Sequence, residues 1–409
     1  MLKKKNRSPL LGEDKIGSLA ASLICIVIGL AIGFLFLIIL AWISLAKKDQ
    51  ASFASVLSLA YNSGFKQLLL GGFYIRPKGI GREIAAAAPL IMTGLSVGFA
   101  FKTGLFNIGA AGQYTLGAFG ALYFAMVLQC PWYICLLAAA LFGALWGAIP
   151  GIFKAYLNIN EVITSIMFNW IGLYGINTLV YQNGNGPMYD STRTKTWMLS
   201  TKNPNAVIPD LGIGTALKNN STTIAIFLAI IVAAIIYIII NKTTFGYELK
   251  ACGHNKNAAK YAGINEKKNI ILSMVIAGAL AGFGAGLYYL SGVAEWNPLD
   301  STALPGIGFD GISVALLASS NPIGTIFSAL FISHISTGGN LMNASYFPPE
   351  VADFISGIII YLCAFSLLFK SKISGLLGKK KERTQKLTTP VPQETAKPLT
   401  ENKEGGDEA

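Results

Sequence analysis

Apolar runs of membrane-crossing length follow one another along this chain, separated by polar stretches. About 20 apolar residues cross a bilayer's hydrocarbon core. Residues 16–46, 84–101, 106–128, 132–157, 162–181, 222–240 and 270–290 reach or approach that length. Two shorter runs, 307–319 and 323–336, are broken at Asn321-Pro322, and 351–369 closes the series. The pattern predicts an all-α polytopic membrane protein of about ten transmembrane helices. The first run is too long for the apolar part of a signal peptide, so it reads as a retained span behind a basic terminus, residues 1–15.

Between the runs the polar stretches fix the orientation. Residues 243–268 carry Lys250, Lys256, Lys260, Lys267 and Lys268, and basic loops stay inside. Within them Asn255–Ala262 reads as a short helix, favoured by Ala258 and Ala259 and ended by Gly263. Residues 182–220 have loop chemistry, with Gly184, Pro187, Pro204 and Asn219, and fall outside. Both termini are then cytoplasmic. In residues 47–83, Phe53, Val56, Leu57, Leu59 and Ala60 suggest an amphipathic helix on the membrane. The topology puts this segment outside despite its lysines and arginines. Residues 84–370 form the transmembrane domain, and 371–409 a basic, then polar and Pro-containing tail that reads as cytoplasmic and disordered.

Composition agrees with the pattern: 53% of the residues are hydrophobic and 13% charged, against roughly 25% charged in soluble domains. The net charge is +12, but it lies in tails and loops. Lys102 and Lys154 are exceptions at helix ends, where long side chains snorkel. This placement reports orientation and contact with lipid headgroups rather than nucleic-acid binding. Neither the 5 cysteines nor the 2 histidines stand at metal-ligand or disulfide spacing, so no metal and no cofactor is expected.

A repeat lies inside the apolar pattern. Ile108-Gly-Ala-Ala-Gly112 recurs as Ile307-Gly-Phe-Asp-Gly311, and Gly94-Leu-Ser-Val-Gly-Phe99 recurs loosely upstream as Gly278-Ala-Leu-Ala-Gly-Phe283. The first copy lies in an inward span and the second in an outward one. Spans 2–5 and 7–10 therefore read as an inverted repeat, an architecture that places a translocation path between its halves. A helix starting just after the glycine pair presents free N–H groups at membrane depth, tolerated only in protein or along a cavity. Asn107, Gln113, Asn169 and Asp310 are the candidate groups facing such a path.

Catalytic constellations are missing. The chain has no GxxxxGK[ST], GxSxG, HExxH or CxxC motif, and no series of intramembrane carboxylates and arginines of the kind that couples protons to transport. A transporter without visible coupling groups, but with a basic inner loop that can dock a partner, takes its energy from that partner.

The residues of that loop, Thr244-Phe-Gly-Tyr-Glu-Leu-Lys-Ala-Cys-Gly-His-Asn-Lys-Asn-Ala-Ala-Lys-Tyr-Ala-Gly-Ile264, resemble the coupling loop of permease subunits of ATP-binding-cassette importers of the ribose and branched-chain amino acid class. Asn160-Glu-Val-Ile-Thr-Ser-Ile-Met-Phe-Asn169, residues 89–109, Gly308–Leu317 and Asn321-Pro-Ile-Gly324 are similar to the nucleoside branch of that class. The resemblance covers residues 80–370. It implies a permease subunit for nucleosides without an ATPase site of its own. As partners it implies a cytoplasmic ABC ATPase, a second homologous permease subunit and an extracellular substrate-binding lipoprotein. It implies that Phe245, Gly246, Leu249, Lys250, Gly253, Asn257, Ala258, Ala259, Tyr261 and Gly263 couple to the ATPase. The alternatives are the same kind of permease for a simple sugar or a branched-chain amino acid, or a secondary carrier working without an ATPase. One position departs from the family pattern: Ala111 stands where relatives carry a carboxylate.

Overall fold

Inside a bilayer every backbone N–H and C=O must find its partner within the segment, and a helix does this residue by residue. The apolar runs accordingly form α1 (Leu10–Ala46), α2 (Lys78–Lys102), α3 (Ala110–Met126), α4 (Trp132–Leu157), α5 (Glu161–Tyr181) and α6 (Ala225–Lys242). The basic stretch supplies α7 (Thr244–His254) and α8 (Lys256–Tyr261). Then come α9 (Glu266–Tyr289), α10 (Gly306–Leu317), α11 (Pro322–Gly339) and α12 (Glu350–Ala364). Six of these, α1, α2, α4, α5, α6 and α9, are long and apolar enough to cross a membrane, and α3, α10, α11 and α12 bring the series to the number expected.

The computed structural model describes residues 10–49, 52–299, 303–348 and 350–364. The expectations for residues 1–9 and for the tail 371–409 lie outside the described residues. Ser22–Ala364 forms one unit of the chain and residues 1–21 with 365–409 another, and the packing here belongs to the first.

At the centre of the bundle is α9, packed against α2, α3 and α4. Its contact with α4 is backbone on backbone: a Cβ on Gly278 would lie 2.2 Å from the carbonyl oxygen of Gly143. In lipid, where burying apolar surface gives no advantage, such close approach through small residues is the main source of helix association. The small face Gly29…Gly33 of α1 is used in the same way, against Ile355 and Ile359 of α12.

The two copies of the repeat run in opposite directions. Met92 of α2 lies against Gly284 of α9, while Thr103 at the end of α2 hydrogen-bonds Ser273 near the start of α9. The helices are therefore antiparallel. Each is followed by a shorter helix, of 17 residues after α2 and 12 after α9, called the half-helices below. α10 lies along α2, with Gly311 against Thr93, Val314 against Gly94 and Ala315 against Gly98. α3 leaves toward the opposite end, where the Asn203 side chain donates to Ala125 O (2.9 Å) and Cys130 O (3.1 Å). The N-terminal turns of the half-helices meet, and a Cβ on Gly308 would stand 2.4 Å from the Cα of Ala111. Ala111 is fully buried there, so this contact has no room for a carboxylate. One detail differs from the sequence reading. α3 starts just after Gly109, whereas α10 starts before its motif, at Gly306 behind Pro305, so the second glycine pair lies inside the helix.

The stretch 182–220 is a built cap. Tyr189–Asp190 pairs with Lys195–Thr196 as a small hairpin. Arg193 grips Glu295 through both guanidinium nitrogens, at 2.6 and 2.9 Å. Thr196 N–H donates to Trp296 O (2.9 Å), Trp296 N–H to Thr196 Oγ1 (3.0 Å), and the indole N–H of Trp296 to Asn177 (2.9 Å). The Thr192 hydroxyl, helped by the backbone N–H groups of Thr192 and Arg193 and by the Arg193 charge, holds the Asp190 carboxyl below its usual range.

Two expectations need correction. Residues 244–254 are helical rather than loop, because Thr243 caps the first turn by accepting from Gly246 N–H (3.1 Å). The second is His334, which has no carboxylate at ligand spacing in the sequence but meets one in the fold. His334 Nδ1 lies 2.7 Å from Glu83 Oε1, and its Nε2 lies 3.0 Å from Leu69 O. Glu83 also accepts from Gly72 N–H, and its own carbonyl accepts from Ser333 Oγ (2.8 Å). This cluster straps residues 66–75, outside the main repeat, onto α2 and α11. The helix expected upstream is Phe53–Ala60, with Val56 and Ala60 buried. Replacing Glu83 with alanine should orphan the Gly72 N–H and leave His334 with its Nε2 contact to Leu69 O alone. Leaving the buried Gly72 donor unmet costs about 1–3 kcal/mol. Limited proteolysis of the solubilised protein should then cut between residues 61 and 75 faster than in the wild type.

Candidate functional site

The turn before α3 is held by side-chain amides. Asn107 Nδ2 donates to Ser96 Oγ (3.0 Å) and Gln113 Oε1 (2.7 Å), and Gln113 Nε2 donates back to Asn107 Oδ1 (3.0 Å). This reciprocal pair closes the turn from both sides. From α5, Asn169 Oδ1 accepts from Gly112 N–H (2.9 Å) and Asn169 Nδ2 donates to Ile108 O (3.0 Å). A side chain on one helix thus satisfies a free donor and a free acceptor at the broken start of another, which backbone at this depth requires. Asn107, Gln113 and Asn169 are each at most 2% exposed. Three of the four path candidates therefore gather at one point, the junction of the half-helices. Asp310, one turn along α10, is exposed, as is Asp353 on the neighbouring α12.

A cavity of about 500 Å³ opens beside this junction. Ile108, Ile166, Asn169, Trp170, Leu304 and Phe309 line it. Trp170 and Phe309 escaped the sequence reading, although each adjoins a residue it singled out, Asn169 and Asp310. So did Ser165, buried against Gly109 with its hydroxyl unpartnered among the described residues.

At the basic end, the residues expected to couple divide into two sets. Gly246, Leu249 and Ala259 are buried, and Phe245 and Lys250 half-buried. Asn257, Ala258, Tyr261 and Gly263 are exposed, Tyr261 to 93%. α8 is capped by Asn255 Oδ1, which accepts from Ala258 N–H (3.0 Å), and Gly263 follows it with φ +82°. Gly253 touches Thr103 and Gly104, the end of α2, so the basic helices rest on the helix that carries Ser96. Nearby, Lys154 pairs with Glu161 (2.8 Å) across the α4–α5 turn. Burial raises the Cys252 thiol above its usual value, so it is no ready nucleophile. Among the described residues no group of acidic, His and Cys side chains could hold a metal.

Three comparisons bear on this arrangement. Residues 80–364 match the family model described as branched-chain amino acid transport system / permease component. The chain is 36% identical over 325 residues to the nucleoside ABC transporter permease protein NupB of Lactococcus lactis subsp. cremoris, covering 77% of this chain and 87% of that one. It is 34% identical over 377 residues to the guanosine ABC transporter permease protein NupP of Bacillus subtilis, covering 90% and 98%. It is 29% identical over 327 residues to the glucose ABC transporter permease protein TsgB13 of Haloferax volcanii, covering 76% and 81%. No solved structure matches the chain.

Proposed function

Because the chain belongs to the branched-chain amino acid transport system / permease component family, we propose that it is the membrane-spanning permease subunit of an ABC importer that takes up nucleosides. The observation that carries the reading is the 34–36% identity to nucleoside and guanosine permeases over most of the chain. ATP hydrolysis belongs to partner subunits. Those partners are a cytoplasmic ABC ATPase docked on α7 and α8, a second homologous permease, and a binding lipoprotein that delivers substrate from outside. Both termini are cytoplasmic, residues 182–220 face outward and residues 243–268 inward, in keeping with the lysines of the latter.

The proposed work cycle runs through the contacts described. ATPase closure moves α8. Through Gly253 the movement reaches the end of α2 and, through Ser96 and Asn107, the junction of the half-helices. Asn107, Gln113 and Asn169 shape the path there, and Asp310 borders it. These are neutral amides in the main, suited to a ligand with many hydrogen-bonding groups and no net charge. Uptake of labelled guanosine should be blocked by excess guanosine and not by ribose or leucine; inhibition by ribose or leucine alone would transfer the assignment to a sugar or amino acid permease. Changing Asn107 and Asn169 together to leucine removes both clasps and should reduce guanosine uptake to background. Unaltered uptake would remove them from the path.

A further inference from the structure

The junction cavity has a chemistry that the amides alone do not explain. Its walls are aliphatic, from Ile108, Ile166 and Leu304, and two aromatic side chains look into it, Trp170 from α5 and Phe309 from α10. Both rings are partly exposed, at 40% and 38%. The two aromatics belong to different repeat halves, Trp170 to the first and Phe309 to the second, so both halves contribute to the cavity. One turn beyond Trp170 on α5, Tyr174 stacks on the indole, with centroids 5.8 Å apart and ring planes at 22°. Trp170 and Tyr174 thus form a ladder of parallel rings that ends at the junction.

We propose that this cavity is the subsite for the nucleobase, with Trp170 and Phe309 providing its aromatic faces. This inference rests on the nucleoside reading above and adds the part of the substrate that this chain holds. A purine offers a flat π-face with polar edges. Aromatic side chains recognise that face whatever its substituents. The cavity's one buried amide, Asn169, uses one N–H and one acceptance in clasping the turn, leaving one N–H and one lone pair for a base edge. A lipid tail offers nothing to that remaining N–H and lone pair of Asn169. A heteroaromatic ring satisfies them. Tyr174, closer to the end that carries residues 182–220, gives an arriving base a first ring to rest on.

The test uses the complete transporter, with its partner subunits, in vesicles loaded with ATP. Trp170→Ala and Phe309→Ala should each lower guanosine uptake about tenfold or more, the range expected for losing one stacking partner. Trp170→Phe should keep most of it, and Leu137→Ala, at a 67% exposed position on α4, should be unchanged. Co-purification of the ATPase with each variant confirms assembly. A photoreactive azidopurine nucleoside should label the peptide containing residues 161–181 in the wild type, and not in Trp170→Ala. If wild-type vesicles carry guanosine but both alanine variants match them within twofold, the subsite is overturned and the nucleoside reading stands. The same holds if photolabelling falls elsewhere or mass spectrometry finds only lipid in the cavity. If wild-type vesicles carry no nucleoside, the functional reading itself falls.

Discussion

A leucine at Gly278 should leave no assembled bundle. The contact it destroys is reciprocal: a Cβ on Gly278 would sit 2.2 Å from Gly143 O, and one on Gly143 would sit 2.3 Å from Gly278 O. The obstacle on each side is backbone, which has no other rotamer to adopt. Neighbouring turns repeat the constraint, since a Cβ on Gly282 would meet Ala139 O at 2.3 Å and one on Gly147 would meet Met274 O at 2.4 Å. α4 therefore cannot retreat at one turn without opening its whole seam with the central helix. Overpacking usually costs 1–3 kcal/mol, and here about 3 kcal/mol is a lower figure. Detergent extraction followed by size-exclusion chromatography should show aggregate in place of a monodisperse peak. Leucine at Gly175, where nothing stands within 4 Å of a new Cβ, should give the wild-type profile. A monodisperse Gly278→Leu protein would mean that α4 and α9 do not meet as described.

The second large effect concerns a side chain that the bundle does not use. Tyr261 projects from the end of α8, 93% exposed, while Ala259 on the same short helix is buried and fixes it to the bundle. An aromatic held out by a capped, anchored helix loses little entropy on docking and fits the profile of an interface hot spot. Tyr261→Ala should weaken ATPase association by about 2 kcal/mol or more, roughly thirtyfold. Uptake should collapse while the amount of chain in the membrane stays constant. Tyr261→Phe should retain most of both. Full association and uptake in the alanine variant would place the ATPase contact elsewhere.

These predictions draw unequally on what the sequence reveals. The helices were legible because bilayer depth forces long apolar runs to be helical, and Asn321-Pro322 marks its break in plain view. The short helix α8 was legible from Asn255, Ala258, Ala259 and Gly263, since caps and alanines act locally. The repeated glycine motif located the junction, and Asn107, Gln113 and Asn169 were found to cluster at it. What escaped was what distance along the chain conceals. Glu83 and His334 are 251 residues apart by number and show no common periodicity, so only the folded bundle brings them together. Trp170 and Phe309 are unremarkable apolar residues until the crossing of α5 and α10 gives them a shared space. α7 is hard to see in the sequence because its polar surface hides its buried line, Gly246 and Leu249, behind the Thr243 cap.

The Arg193–Glu295 fork and the Thr196–Trp296 exchange have a mechanical consequence. They fasten the hairpin to the linker between α9 and α10, so the two loops form one plate rather than two independent flaps. That linker ends at Pro305, directly on the first turn of α10. A shift of the hairpin would carry Glu295 and Trp296 of that linker with it. Cutting the fork with Arg193→Ala would leave the Trp296 hydrogen bonds as the tie between the two loops.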